Sequence, residues 1–147
     1  MEEKKYEITV ITKEYNNCIL HRIKALKDFG NVNKGDLGGW IEKEENLSQK
    51  GDCWVCRYAN VYNDAKVYED AVIFGNVEIY DNAEVYGAAR IFDDAQIYGK
   101  TKVYDNALVS GKAMIYDIAD ICENAIICDN GCVFGKSLVN GETIVCN

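Results

Sequence analysis

Side chains able to do chemistry are few in this sequence: 147 residues carry seven cysteines and a single histidine. His21 is the only imidazole that could act as a base, and one histidine excludes a three-histidine zinc site. It alternates with Ile19 and Ile23, the pattern of a half-buried strand, and so reads as a packed residue rather than a base. Cys53-Trp54-Val55-Cys56 has the CxxC spacing. On a strand the first thiol points inward and the second outward, which suits neither a zinc knuckle nor a redox turn, and no second CxxC completes a site. The stretch Lys34-Gly35-Asp36-Leu37-Gly38-Gly39 has the glycines of a phosphate loop but not its Gly-Lys-Ser/Thr ending. No catalytic residue, metal ligand set or cofactor motif is read from these side chains.

The elements that carry these residues follow from a repeat. From residue 53 a small residue recurs every six positions, as at Ala59, Ala65, Ala71 and Ala83, and two places later stands Val or Ile, as at Val61, Val67, Ile73 and Val85. Sixteen such hexads run to residue 147 without an insertion. Small and aliphatic positions two apart share one face of a strand, and the Gly, Asp and Asn pairs that end each hexad supply bends. Such a chain winds a parallel β-solenoid.

Three hexads per coil (18 residues) or two (12) could close the solenoid. At 18-residue spacing the outward positions of one side are almost all apolar: Trp54, Val72, Phe74, Phe92, Leu108, Ile126 and Ile144. Spacing of 12 mixes Trp54 with Lys66, Glu78 and Arg90 and leaves no apolar face, although the alternation Gly75, Asp81, Gly87, Asp93, Gly99, Asp105 favours 12. The expectation is therefore a triangular prism of 18-residue coils. A second side gathers a lane of Tyr62, Tyr80, Tyr98, Tyr116 and Phe134. Cys128 and Cys146 fall on one side in adjacent coils and are expected to remain a reduced ladder.

Residues 1–52 lie off this lattice and are expected to form an N-terminal cap, a β-hairpin from strands over 6–12 and 18–23 followed by a Gly-rich lead into coils at 53–147.

The hexads resemble the hexapeptide repeat of left-handed parallel β-helices, in which an aliphatic residue is followed four positions later by a small one, as Val61 by Ala65 and Ile91 by Ala95. That resemblance implies the left hand and an all-β fold. Acyltransferases with this coil use a histidine on the solenoid, often beside an inserted loop, and residues 53–147 contain neither. The run Leu37-Gly38-Gly39-Trp40-Ile41, Asn46-Leu47-Ser48 and Cys53-Trp54-Val55 resembles a family of largely uncharacterised phage and prophage hexapeptide-repeat proteins. It implies a mobile-element setting and supplies no catalytic residues.

Charge and surface complete the reading. The net charge is −8, and residues 53–147 hold 14 acidic against 7 basic side chains, which disfavours direct DNA or membrane binding. The apolar side is too continuous to stay wet, so a homo-oligomer is expected through it or through the last coil. The aromatic lane with its acidic neighbours is the candidate surface for a host protein or a small nucleotide. The function expected is a cytoplasmic, non-catalytic scaffold or anti-defence binding protein. An acyl-CoA-dependent acyltransferase and a purely structural assembly protein are the alternatives.

Overall fold

A computed structural model describes residues 3–147. Strands β1 (Tyr6–Tyr15) and β2 (Cys18–Ala25) form an antiparallel hairpin turned by Asn16 and Asn17, both at positive φ, and β2 pairs antiparallel with β3 (Leu37–Ile41). One short strand per hexad follows, from Trp54–Val55 to Ile144–Cys146. These stack in parallel into three sheets of eight, six and five strands, the hairpin and β3 belonging to the first. The protein is an all-β solenoid whose only helical segment among the described residues is one 3₁₀ turn, Glu44–Asn46.

The core is the inward face of the hexads. Val or Ile at the third position and a small residue at the first are fully buried through most coils, as Ile79, Ala83, Ile97 and Ala107. Each pairs with its equivalent 18 residues on: Ile79 with Ile97, Ile97 with Ile115, Val103 with Ile121. β-branched side chains suit this pleated, fully buried position. Small partners let three walls meet at a narrow axis.

The corners explain the Gly/Asp alternation within an 18-residue coil. Three hexads is an odd number, so a feature alternating between hexads also alternates along each corner, as Asp81, Gly99, Asp117, Gly135. All four residues have positive φ. The Asp81 carboxylate accepts from Gly99 N–H at 3.1 Å, and Asp117 accepts from Gly135 N–H at 2.9 Å. Gly99 in turn lies so close beneath the next coil that a Cβ would come 2.7 Å from the Asp117 carbonyl oxygen. Asp caps the corner above it, and Gly makes room for the Asp that follows.

The first rungs come from the segment before residue 53. Trp40 and Ile41 of β3 pair in parallel with Asn60 and Val61, and Leu47 bridges Val67, a step of 20 residues rather than 18. The two extra residues lie between Leu47 and Trp54, from which the step is 18, Trp54 pairing with Val72. The Gly-Gly-Trp and Asn-Leu-Ser motifs are packing devices in this rung. A Cβ on Gly38 would meet the Trp54 ring at 2.6 Å, and one on Gly39 would collide with the Cys56 carbonyl. Asn46, fully buried, donates to the Asn63 and Ala65 carbonyls and accepts from Glu42 and Lys43 N–H, while Leu47 joins the core.

Candidate functional site

The hairpin brings the polar groups of the cap onto the outer face of the first sheet. Arg22, Trp40, Asn60 and Glu78 are register neighbours across β2, β3 and the next two rungs, so their side chains share that face. Two cations lie over the Trp40 ring, Lys13 Nζ at 4.5 Å and the Arg22 guanidinium at 4.6 Å from its centre. Arg22 also donates to the Arg57 carbonyl at 3.1 Å, which places the Arg57 backbone beside it, and its Nε is buried without a partner. The Asn60 Oδ1 is likewise unpartnered, in a residue 7 % exposed.

This is a concentration of positive charge on an acidic protein. Among the described residues Lys13, Arg22 and Arg57 form no ion pair; the two ion pairs present join Lys4 to Glu44 and Lys43 to Asp64. Burial and then the Arg22 charge pull the Lys13 ammonium below its ordinary pKa, and burial followed by Arg57 does the same to Arg22. Such cations favour an anionic partner. Tyr58, 64 % exposed, stands beside Arg57 and gives the rim a free aromatic ring.

His21 lies one residue from Arg22 on β2, hence on the opposite face of the strand, paired with Ile41 and Thr12. It is half-exposed, and its ring makes no hydrogen bond among the described residues. The sequence does not bring it to the coils.

The tyrosine lane forms one stack. Ring centres lie 5.2 Å apart for Tyr62–Tyr80, 5.0 Å for Tyr80–Tyr98, 5.2 Å for Tyr98–Tyr116 and 5.6 Å for Tyr116–Phe134. Its first member is covered: Tyr15 packs edge-on against Tyr62 at 5.8 Å, Asn16 donates to the Tyr62 hydroxyl, and Tyr62 is 3 % exposed. A second stack runs through Tyr68, Tyr86 and Tyr104, with the Tyr68 hydroxyl donating to Glu84 at 2.8 Å. Burial followed by Glu84 raises the Tyr68 phenol well above its usual range.

The apolar side is a six-stranded sheet with Phe74 and Phe92 stacked 4.9 Å apart. Trp54 is taken up by the cap, 4 % exposed beneath Phe29 at 5.3 Å and Tyr6 at 6.2 Å. Val72, Phe92, Leu108 and Ile126 are half-buried, whereas Phe74 and Ile144 are 36 % and 63 % exposed. The hairpin tip lies on the tyrosine side and leaves this sheet open beyond its first rung.

The expectation of a reduced ladder is corrected at the last two coils, where Cys128 and Cys146, in direct register, are joined by a disulfide with Cα atoms 4.7 Å apart. Asp129 lies beside them, but thiols held in a disulfide are not metal ligands. Cys53 and Cys56, of the CxxC, are both free.

No family model matches the chain. Over 39 residues it is 46 % identical to an uncharacterized acetyltransferase, YdcK, of Escherichia coli (strain K12). The match covers 26 % of this chain and 12 % of that relative. No helix among the described residues is long and apolar enough to cross a membrane. Similarity to a protein named as an acetyltransferase overturns the expectation that the chain is not an enzyme. That expectation rested on the absence of histidine from residues 53–147.

Proposed function

We propose that this chain is an acyl-CoA-binding solenoid of the hexapeptide acyltransferase type. The observation that carries the reading is the 46 % identity to a named acetyltransferase, on a chain folded as a hexapeptide coil. The cation cluster supports it. Lys13, Arg22 and Arg57 offer positive charge to the phosphates of a coenzyme A, and Tyr58 offers a ring for its adenine.

Acyl transfer requires a base that takes the proton of the attacking amine or hydroxyl as it adds to the thioester carbonyl; the tetrahedral adduct then expels the CoA thiolate. His21 faces away from the cluster within one copy. In this reading it serves the acyl group held by a second copy, for which its free, half-exposed ring is suited. The test is CoA release from acetyl-CoA in the presence of amine and amino-sugar acceptors. Arg57→Glu should weaken acetyl-CoA binding by about tenfold or more. His21→Ala should abolish transfer while leaving binding intact, and full transfer by that variant would refute the role given to His21.

A second copy has a surface to meet. The half-exposed rungs Val72, Phe74, Phe92, Leu108 and Ile126 make a flat apolar strip along one sheet, and self-association buries it. Replacing Phe92 and Leu108 by Glu should give soluble monomers in light scattering; an oligomer of unchanged mass would contradict this interface.

A further inference from the structure

The cap buries a lysine against a thiol. Lys5 is 1 % exposed and Cys53 fully buried, and Lys5 Nζ lies 3.3 Å from Cys53 Sγ. The same nitrogen donates to the Cys53 carbonyl at 2.7 Å and to the Gly51 carbonyl at 3.3 Å, and sits 4.9 Å over the Phe29 ring. Gln49 accepts from the Lys5 backbone N–H and so fixes the strand that presents the amine. No carboxylate pairs with Lys5 among the described residues.

The 3.3 Å approach of nitrogen to sulfur is the geometry from which the two groups could bond. Burial draws the Lys5 ammonium below its ordinary pKa, which raises the share of neutral, nucleophilic amine. Burial pushes the Cys53 thiol up and so disfavours its thiolate, with the neighbouring amine pulling the other way. An open depression of about 610 Å³ lies over the pair, and its lining includes Phe29, Gln49 and Gly51, three of the residues that hold Lys5.

We propose that Lys5 and Cys53 form a reversible covalent staple, a sulfenamide, when the protein meets a peroxide. Cys53 Sγ attacks hydrogen peroxide, whose O–O bond breaks; the thiol becomes a sulfenic acid and one water leaves. The lone pair of Lys5 Nζ then attacks Sγ, the S–O bond breaks, and a proton from the nitrogen leaves with the hydroxide as a second water. Sulfur is oxidised by two electrons and the peroxide is reduced. A small thiol reverses the link, since two thiol molecules become a disulfide and return the free amine and Cys53 thiol. The staple ties the N-terminal strand to the first hexad of the solenoid.

The experiment is non-reducing peptide mapping of the full chain after limited hydrogen peroxide and alkylation of free thiols. A linked pair of peptides containing Lys5 and Cys53, two hydrogens lighter than their sum, is expected. It should vanish after dithiothreitol and be missing from Lys5→Met and Cys53→Ala. Ala occupies the equivalent inward position in most hexads, so Cys53→Ala is expected to fold. Peroxide should also raise the melting temperature of the wild type and not of Cys53→Ala. The proposal is overturned if Cys53 stays unmodified under conditions that oxidise the exposed Cys132, or appears as sulfinic acid with Lys5 free. A linked pair that retains an oxygen would overturn the condensation step.

Discussion

The corner geometry makes a prediction in which two equivalent glycines should respond differently to the same substitution. Gly99 and Gly135 occupy one corner two coils apart, with φ of +72° and +65°. Replacing either by Ala puts a Cβ into left-handed backbone, a cost of about 1–2 kcal/mol. At Gly135 nothing lies within 4 Å of the new atom, so the cost ends there. At Gly99 the Cβ would stand 2.7 Å from the Asp117 carbonyl oxygen and 2.8 Å from its amide nitrogen, backbone atoms that move only if the coils part. That overlap adds about 1–3 kcal/mol, as overpacking does elsewhere. For a chain of this size each kcal/mol lowers the melting temperature by about 2–4 °C, so Gly99→Ala should melt roughly 2–12 °C below Gly135→Ala. Gly87→Ala, at another corner and 2.7 Å from Asp105 N, should behave as Gly99→Ala does. Thermal unfolding followed by circular dichroism measures all three. Equal destabilisation of Gly99→Ala and Gly135→Ala would refute the stacking of Gly beneath Asp.

Other perturbations probe the core, the cap and the last coils. Ile97→Ala empties a fully buried rung and should cost about 2–5 kcal/mol in urea unfolding, whereas Thr101→Ala removes a buried hydroxyl without a partner and should be neutral or stabilising by up to about 1 kcal/mol. Asn46→Leu strands two N–H groups and two carbonyls of the first rung and should destabilise by roughly 2–4 kcal/mol in the same assay. Cys146→Ser, or reduction, opens an 18-residue loop and should cost about 3 kcal/mol, read as a lower melting temperature. Burial and then Tyr98 push the Tyr80 phenol up to about 12, from an ordinary 10. The folded state therefore holds more protons than the unfolded one between these values, and the stability present below pH 10 should fall as pH rises toward 12, with phenolate absorbance and unfolding rising together.

The coils were legible in the sequence because two periods agree: small and aliphatic residues two apart define a face, and their recurrence at six defines a wall. The apolar lane then selected 18 over 12. The Gly/Asp alternation points to 12 only if like residues stack on like at each corner, whereas its physical basis is contact of Asp with Gly between coils, which any odd number of hexads allows. The cap was harder to read. Its rung from Trp40 and Leu47 pairs at a step of 20, so no hexad register marks it. The direction of the hairpin was also hidden, since it depends on the two cations over the Trp40 ring and on Tyr15 meeting Tyr62. Lys5 gave no signal at all: a lysine near a charged N-terminal run reads as solvated, and only the chain's return at Gly51–Cys53 supplies the carbonyls that bury it. The cation cluster was missed for a related reason, because Lys13, Arg22 and Arg57 are scattered in a sequence of net charge −8.

The functional reading stands or falls on acyl-CoA binding at that cluster. Titration of the full chain with acetyl-CoA in a calorimeter should give saturable heat that adenosine, which lacks the phosphates, does not reproduce, with affinity weakened by about tenfold or more in Lys13→Glu and Arg57→Glu. No heat on titration, or equal affinity in both variants, would contradict it.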